Sequence, residues 1–188
     1  MSDQLLRSFV GIFPPAELID RLVLIQSKLK PFAPHAKWEK EKKFHITVEF
    51  LGDKTELWLK QLNNDIRNSL ALPPFNIELT HCGAFPSDRS PKVFWIGSNP
   101  EKNSQLENLA EMIRKITKLH GHTPDAKPFH PHITIGRAKG KISSNLIQNI
   151  ETVTFHPIEF TCSEIRIMRS RLASTGSTYT TLFTIPLK

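Results

Sequence analysis

The tetrapeptide His45-Ile46-Thr47-Val48 returns 87 residues later as His132-Ile133-Thr134-Ile135. In an extended strand successive side chains point to opposite faces, so a His-x-Thr-apolar unit carries an imidazole and a hydroxyl on one side and aliphatic groups on the other. By that alternation Ile46, Val48 and Phe50 face a core while His45 and Thr47 face a cleft, and the second copy repeats the division. Glu49 has the cleft parity, where it orients a histidine or, as the simpler placement, stands at the rim. Two such strands in one chain predict two similar halves with a groove between them, in which both imidazoles reach one substrate atom.

The segments around the two motifs support this plan. Arg7 to Phe13 reads as a strand stopped by Pro14-Pro15, followed by a helix with Leu18, Ile19, Leu22, Ile25, Gln26 and Leu29 near the helical period and closed by Pro31. A short strand is expected around Ala36 to Glu39, then the first histidine strand, Phe44 to Leu51, ended by Gly52-Asp53. Thr55 is a suitable N-cap for a helix burying Leu59, Leu62, Ile66 and Leu70, and Pro73-Pro74 ends that segment. Strands are expected at Phe75 to Cys82 and Lys92 to Gly97, joined by a loop at Pro86 to Pro91. A helix over about 101 to 120 has Leu106, Leu109, Ile113, Ile116 and Leu119 as its apolar stripe and Gly121 as its stop. The second histidine strand, Phe129 to Ala138, a short helix at Asn145 to Ile150 and strands near 153–171 and 178–187 complete the chain. This order predicts an α+β fold, bilobal and pseudo-two-fold symmetric, with antiparallel sheets backed by helices. All 188 residues read as one domain of two similar lobes.

A composition of 39% hydrophobic and 23% charged residues is that of a globular protein rather than a disordered or collagen-like one. No basic leader followed by an apolar stretch opens the chain, and no run approaches the roughly 18 apolar residues of a membrane span, so a soluble, cytoplasmic protein is expected. Cys82 and Cys162 are too few for a disulfide framework and are expected to be reduced and packed. The formal charge of +7 favours a polyanionic partner, although Lys40 to Lys43 also reads as a solvated turn.

Cleaving a phosphodiester with water requires a base for the nucleophile's proton and an acid for the leaving oxygen, and imidazoles serve as both near neutral pH. At 10²- to 10⁴-fold per histidine, a well-placed pair lowers the barrier by about 5–11 kcal/mol, and the scheme needs no metal or other cofactor. Thr47 and Thr134 offer hydroxyl donors to the nonbridging oxygens. Arg137 follows as a positive clamp, but strict alternation groups it with the core residues Ile133 and Ile135, unless Gly136 permits a bulge that turns it into the groove.

With these motifs the chain resembles the two-histidine (2H) phosphoesterase superfamily, and most closely its RNA 2′,3′-cyclic phosphodiesterase branch, historically called 2′-5′ RNA ligase. Phe9-Val10-Gly11-Ile12 with Pro14-Pro15, the stretch Phe44 to Gly52, the strand Pro91 to Gly97, the run PFHPHITIGR from Pro128 to Arg137, and Ser170-x-Leu172 with Gly176 and Tyr179 carry the likeness. The resemblance implies metal-independent opening of a 2′,3′-cyclic phosphate at an RNA end, leaving a 2′-phosphate, and a measurable reverse reaction that joins RNA ends through a 2′-5′ linkage. It implies His45 as general acid, His132 as the base that activates water and Arg137 as phosphate clamp. The implied partners are RNAs with cyclic phosphate ends, tRNA fragments among them, met by a monomer.

Three other readings compete. Within the same superfamily the substrate could be 2′-5′ oligoadenylate or another cyclic phosphate. The pairs His120-x-His122 and His130-x-His132 suggest a metal hydrolase, against which no acidic or cysteine ligand stands at a motif spacing. An RNA-end binding module without turnover would use the charge and aromatics such as Trp38 and Trp58.

Overall fold

A computed structural model describes residues 4–86, 92–98, 100–139, 149–150, 152–173 and 176–188. The fold is α+β, and among the described residues two antiparallel sheets pack with three long helices. The strands among the described residues are β1 (Leu6–Ile12), β2 (Lys37–Trp38), β3 (Ile46–Lys54), β4 (Phe75–Leu79), β5 (His81–Phe85), β6 (Val93–Gly97), β7 (His132–Arg137), β8 (Ile158–Cys162), β9 (Glu164–Ala173) and β10 (Gly176–Pro186). The helices are α1 (Ile19–Leu29), α2 (Glu56–Ser69) and α3 (Ser104–Leu119). Thr55 caps α2 as its sequence suggested, accepting from the Trp58 amide at 3.2 Å. Two apolar runs that read as single strands each divide, at Thr80 and at Ser163. The short helix expected at Asn145 to Ile150 falls almost wholly outside the described residues.

The large sheet runs β10-β9-β1-β3-β7-β6-β5, with β2 also paired to β7, while β4 and β8 form the second sheet. Its two parts meet where β3 pairs β7, at Ile46 opposite Ile133. These are equivalent positions of the two motif copies, so the copies cross antiparallel about a local two-fold. In that register His45 lies on the side of Thr134 and Thr47 on the side of His132. Ile46, Val48, Ile133 and Ile135 are buried in one hydrophobic cluster together with residues of all three helices.

Both histidine strands carry a bulge at the same motif position. Against β1, Val10 pairs Glu49 and Gly11 pairs Thr47, so Val48 is the extra residue. Against β6, Phe94 pairs Gly136 and Trp95 pairs Thr134, so Ile135 is. An extra residue reverses the alternation beyond it. Arg137 is thereby turned to the groove, as the glycine before it allowed. Phe50, its counterpart in the first copy, is turned the same way and is 48% exposed rather than buried with Ile46 and Val48. Glu49 moves the other way, away from the rim and into the interior.

The helices then lock each bulge from the opposite half. Arg114 of α3 donates to Glu49 at 3.1 Å, and His122 just beyond that helix lies 3.3 Å from the other carboxylate oxygen, whose side chain is 2% exposed. Gln26 of α1, also buried, donates from one nitrogen to the carbonyls of Glu39 at 2.8 Å and Ile135 at 2.9 Å. The Ile135 carbonyl accepts from the Glu39 amide as well, so Gln26 supplies a second donor at the bulge and ties it to the Glu39 carbonyl at the end of β2. Replacing Gln26 with the nearly isosteric leucine should destabilise the fold by about 1–3 kcal/mol. Urea unfolding measures it, and an unmoved midpoint would show that the bulge holds without the amide.

Candidate active site

A pocket of about 360 Å³ opens on the face of the β3–β7 crossing and is lined by His45, Thr47, His132, Thr134 and Arg137 together. All five residues singled out from the sequence therefore converge. The pocket also contains Glu39, Lys43, Arg7, Phe50 and Tyr179, which the motif alone did not select.

The two imidazoles are held alike. His45 Nδ1 is 2.6 Å from the Lys43 carbonyl oxygen and His132 Nδ1 is 2.7 Å from that of His130. A carbonyl only accepts, so each Nδ1 carries the hydrogen and donates it. Each Nε2 is then left for proton transfer. Thr47 Oγ1 lies 3.1 Å from His45 Nε2, and with that nitrogen unprotonated the hydroxyl donates to it. The rings are wedged by aromatics: Phe9 and Tyr179 stand 4.8 Å and 5.2 Å from His45, and Phe85 stands 4.9 Å from His132.

Burial sets the protonation of the two rings. It lowers the pKa of His45 first of all, partly offset by the bond to Lys43 and by the nearby Glu39 carboxylate, with Arg137 acting in the same direction as burial. For His132 burial again dominates, the bond to the His130 carbonyl offsets part of it, the charges of His130, His45 and Arg137 add to it, no carboxylate opposes it, and the pKa is pushed down to about 4. Both rings are thus neutral near pH 7. Tyr179 is shifted upward, mainly by burial and then by Glu39, and stays a neutral hydroxyl.

Glu39 balances the cations. Its carboxylate takes Arg137 Nε at 3.2 Å on one oxygen and Lys43 Nζ at 3.3 Å on the other. The Glu39 amide donates to the Ile135 carbonyl at 2.9 Å, so the residue is fixed by the same bulge that turns Arg137. Lys43 belongs to the cluster that also read as a solvated turn, yet its side chain is 16% exposed. The signal for Glu39 and Lys43 lay in the short strand and basic run that precede the first motif.

The residues of the metal reading separate. His120 Nε2 reaches Asp65 at 2.7 Å while His122 goes to Glu49, so these two rings share no ligand point. Among the described residues no group of three or more His, Cys, Asp or Glu side chains is placed to hold a metal ion. Trp38 and Trp58 are half-buried against the core, and Trp58 Nε1 donates to the His120 carbonyl at 3.0 Å, so neither is a free stacking platform. Cys82 and Cys162 are buried thiols, as expected. Among the described residues no helix is long and apolar enough to cross a membrane.

Comparison with known proteins gives the family. The family model for the 2′-5′ RNA ligase superfamily matches residues 14–173. The chain belongs to that superfamily. Two relatives named RNA 2′,3′-cyclic phosphodiesterase are similar along nearly their whole lengths. The one from Methanothermobacter thermautotrophicus is 31% identical over 93% of this chain and 95% of its own, and the one from Thermotoga maritima is 32% identical over 95% and 94%. The crystal structure of E. coli LigT complexed with 3′-AMP superposes with a TM-score of 0.77 at 26% identity, covering 98% of this chain and 99% of LigT. The expectations of membership in this superfamily and of an enzyme both hold.

The depressed pKa of His132 has a measurable consequence. Its unfolded value is 6.5 and its folded value about 4, so between these the unfolded state binds the extra proton and stability rises with pH. The stabilisation is complete above pH 6.5 and is lost as pH falls toward 4. Nitrogen NMR of the free protein should show the His132 ring neutral with hydrogen on Nδ1 down to about pH 4. Titration of that ring near 6.5 would contradict the burial argument.

Proposed function

We propose that this member of the 2′-5′ RNA ligase superfamily hydrolyses terminal 2′,3′-cyclic phosphates of RNA to 2′-phosphates, using His132 as general base and His45 as general acid. The observation that carries the reading is the presence of both histidines, both threonines and an arginine in one pocket, each ring presenting its Nε2. The names of the two relatives and the 3′-AMP complex of LigT support an RNA end as substrate.

The steps follow from the chemistry. His132 Nε2 takes a proton from water, whose oxygen attacks phosphorus opposite the 3′ oxygen. The bond between phosphorus and the 3′ oxygen breaks, and that oxygen takes the proton from His45 Nε2, leaving a 2′-phosphate and a 3′-hydroxyl. Asymmetry in the electrostatics supports the division of roles. Each ring gains from its bond to a backbone carbonyl, but only His45 also has a carboxylate, Glu39, that favours a proton on it. An anionic substrate supplies the further negative charge that lets His45 hold its proton.

Protonation of His45 also releases Thr47. Once Nε2 carries hydrogen it no longer accepts, and the threonine hydroxyl is free to donate to a nonbridging oxygen as Thr134 does from the other strand. Arg137, with its side chain 53% exposed and its Nε held by Glu39, turns its terminal nitrogens to the phosphate. No metal enters this scheme. With a 5′-hydroxyl in place of water the same displacement leaves a 2′-5′ linkage, which is how the reading accommodates ligation.

The test uses an oligoribonucleotide ending in 2′,3′-cyclic phosphate, with a chelator present. Conversion to a 2′-phosphate is expected, with His45→Ala and His132→Ala each lowering kcat by about 10²- to 10⁴-fold while the RNA still binds. Turnover that persists in either variant, or wild-type protein that leaves the end intact while opening a 2′-5′ adenylate, would overturn the proposal.

A further inference from the structure

Strand β2 sets Lys37 directly opposite Arg137, and Glu39 follows two residues on, just past the strand. Two cations at facing positions repel, and Lys43 adds a third. Glu39 is shared between Arg137 and Lys43, and Glu41 is the other carboxylate lining the adjoining cavity, against Lys30, Lys40, Lys42 and Lys43. Among the described residues Lys37 has no acidic partner. The corner therefore holds more positive than negative charge.

The surplus is focused on one spot. Gly176 opens β10 at a φ of +122°, a conformation that favours glycine. A Cβ there would stand 3.1 Å from Lys37 Nζ and 3.2 Å from Lys43 Nζ. Both ammonium groups thus lie against the bare face of this glycine, where an anion resting over that face meets both. The spot adjoins a cavity of about 860 Å³ lined by Lys43, Gly176, Ser177 and Tyr179. Lys43, Glu39, Ser177 and Tyr179 also line the histidine pocket, so the two spaces adjoin across these side chains.

We infer that Lys37 and Lys43 form a second phosphate subsite, which takes the 5′-phosphate of the nucleotide whose cyclic phosphate is opened in the histidine pocket. The inference rests on the functional reading above and deepens it. Arg137 and the threonines hold the reacting phosphate, and the lysine pair holds the next one along the chain. Lys43 keeps its bond to Glu39 while doing so, because an ammonium has three donors. An RNA terminus has this second phosphate and a nucleoside 2′,3′-cyclic phosphate lacks it, so the subsite selects chain ends over free cyclic nucleotides.

The probe is a matched pair, a nucleoside 2′,3′-cyclic phosphate with and without a 5′-phosphate. The 5′-phosphorylated form should show kcat/KM higher by roughly tenfold or more at low salt, the size expected of charge-assisted hydrogen bonds. That ratio should fall to about one in Lys37→Ala and Lys43→Ala, survive in Lys37→Arg, and persist in Lys60→Ala, a lysine on the exposed face of α2. If wild type opens both compounds equally well, the subsite is refuted while the functional reading stands. An advantage that survives both alanine variants also refutes it. If neither compound nor the longer RNA is opened, the functional reading fails and the subsite with it.

Discussion

The pairing of Ile46 with Ile133 is the contact on which the rest of the molecule depends. It is a modest antiparallel bridge between two buried isoleucines, but it joins equivalent points of two copies of one motif. Everything that flanks it is therefore duplicated about that point. The imidazoles and hydroxyls fall to one face because strands alternate, and the aliphatic residues that flank them anchor both strands in the same hydrophobic cluster. A shift of one residue in this register would bury the histidines and expose the isoleucines. Register and active-site geometry are thus one constraint.

The second layer is the departure from alternation. A bulge at Val48 and its twin at Ile135 bring Phe50 and Arg137 to the groove at matching places, one apolar and one cationic. The matched frame thus ends in unlike side chains. The helices reinforce the pairing crosswise, since α1 secures the bulge of the second histidine strand and α3 holds Glu49 next to the bulge of the first. Neither half fixes its own histidine strand without the other.

The parts of the fold that could be read in the sequence were those written in short-range pattern. The repeated His-x-Thr unit, the periodicity of the three helices and the Thr55 cap all depend on residues within a few positions of each other. The glycine at 136 even hinted at the second bulge, whereas no glycine marked the first, and the alternation rule accordingly misplaced Glu49 and Phe50. The breaks at Thr80 and Ser163 were hidden because β-forming residues continue through them. At both places the chain passes from the small sheet to the large one, and only pairing shows it. Glu39 was invisible as a site residue for a similar reason, since its partner Arg137 lies 98 positions on. Lys43 could not be told from a solvated lysine until the neighbouring strand enclosed it.

The central claim is that two imidazoles act from opposite sides of one phosphorus, so that water displaces the 3′ oxygen in a single in-line step. Stereochemistry at phosphorus tests this most directly. A cyclic phosphorothioate of one configuration, opened in ¹⁸O-labelled water, should give a product inverted at phosphorus. Retention would require two successive displacements through a covalent enzyme intermediate, and would contradict the assignment of both histidines to proton transfer.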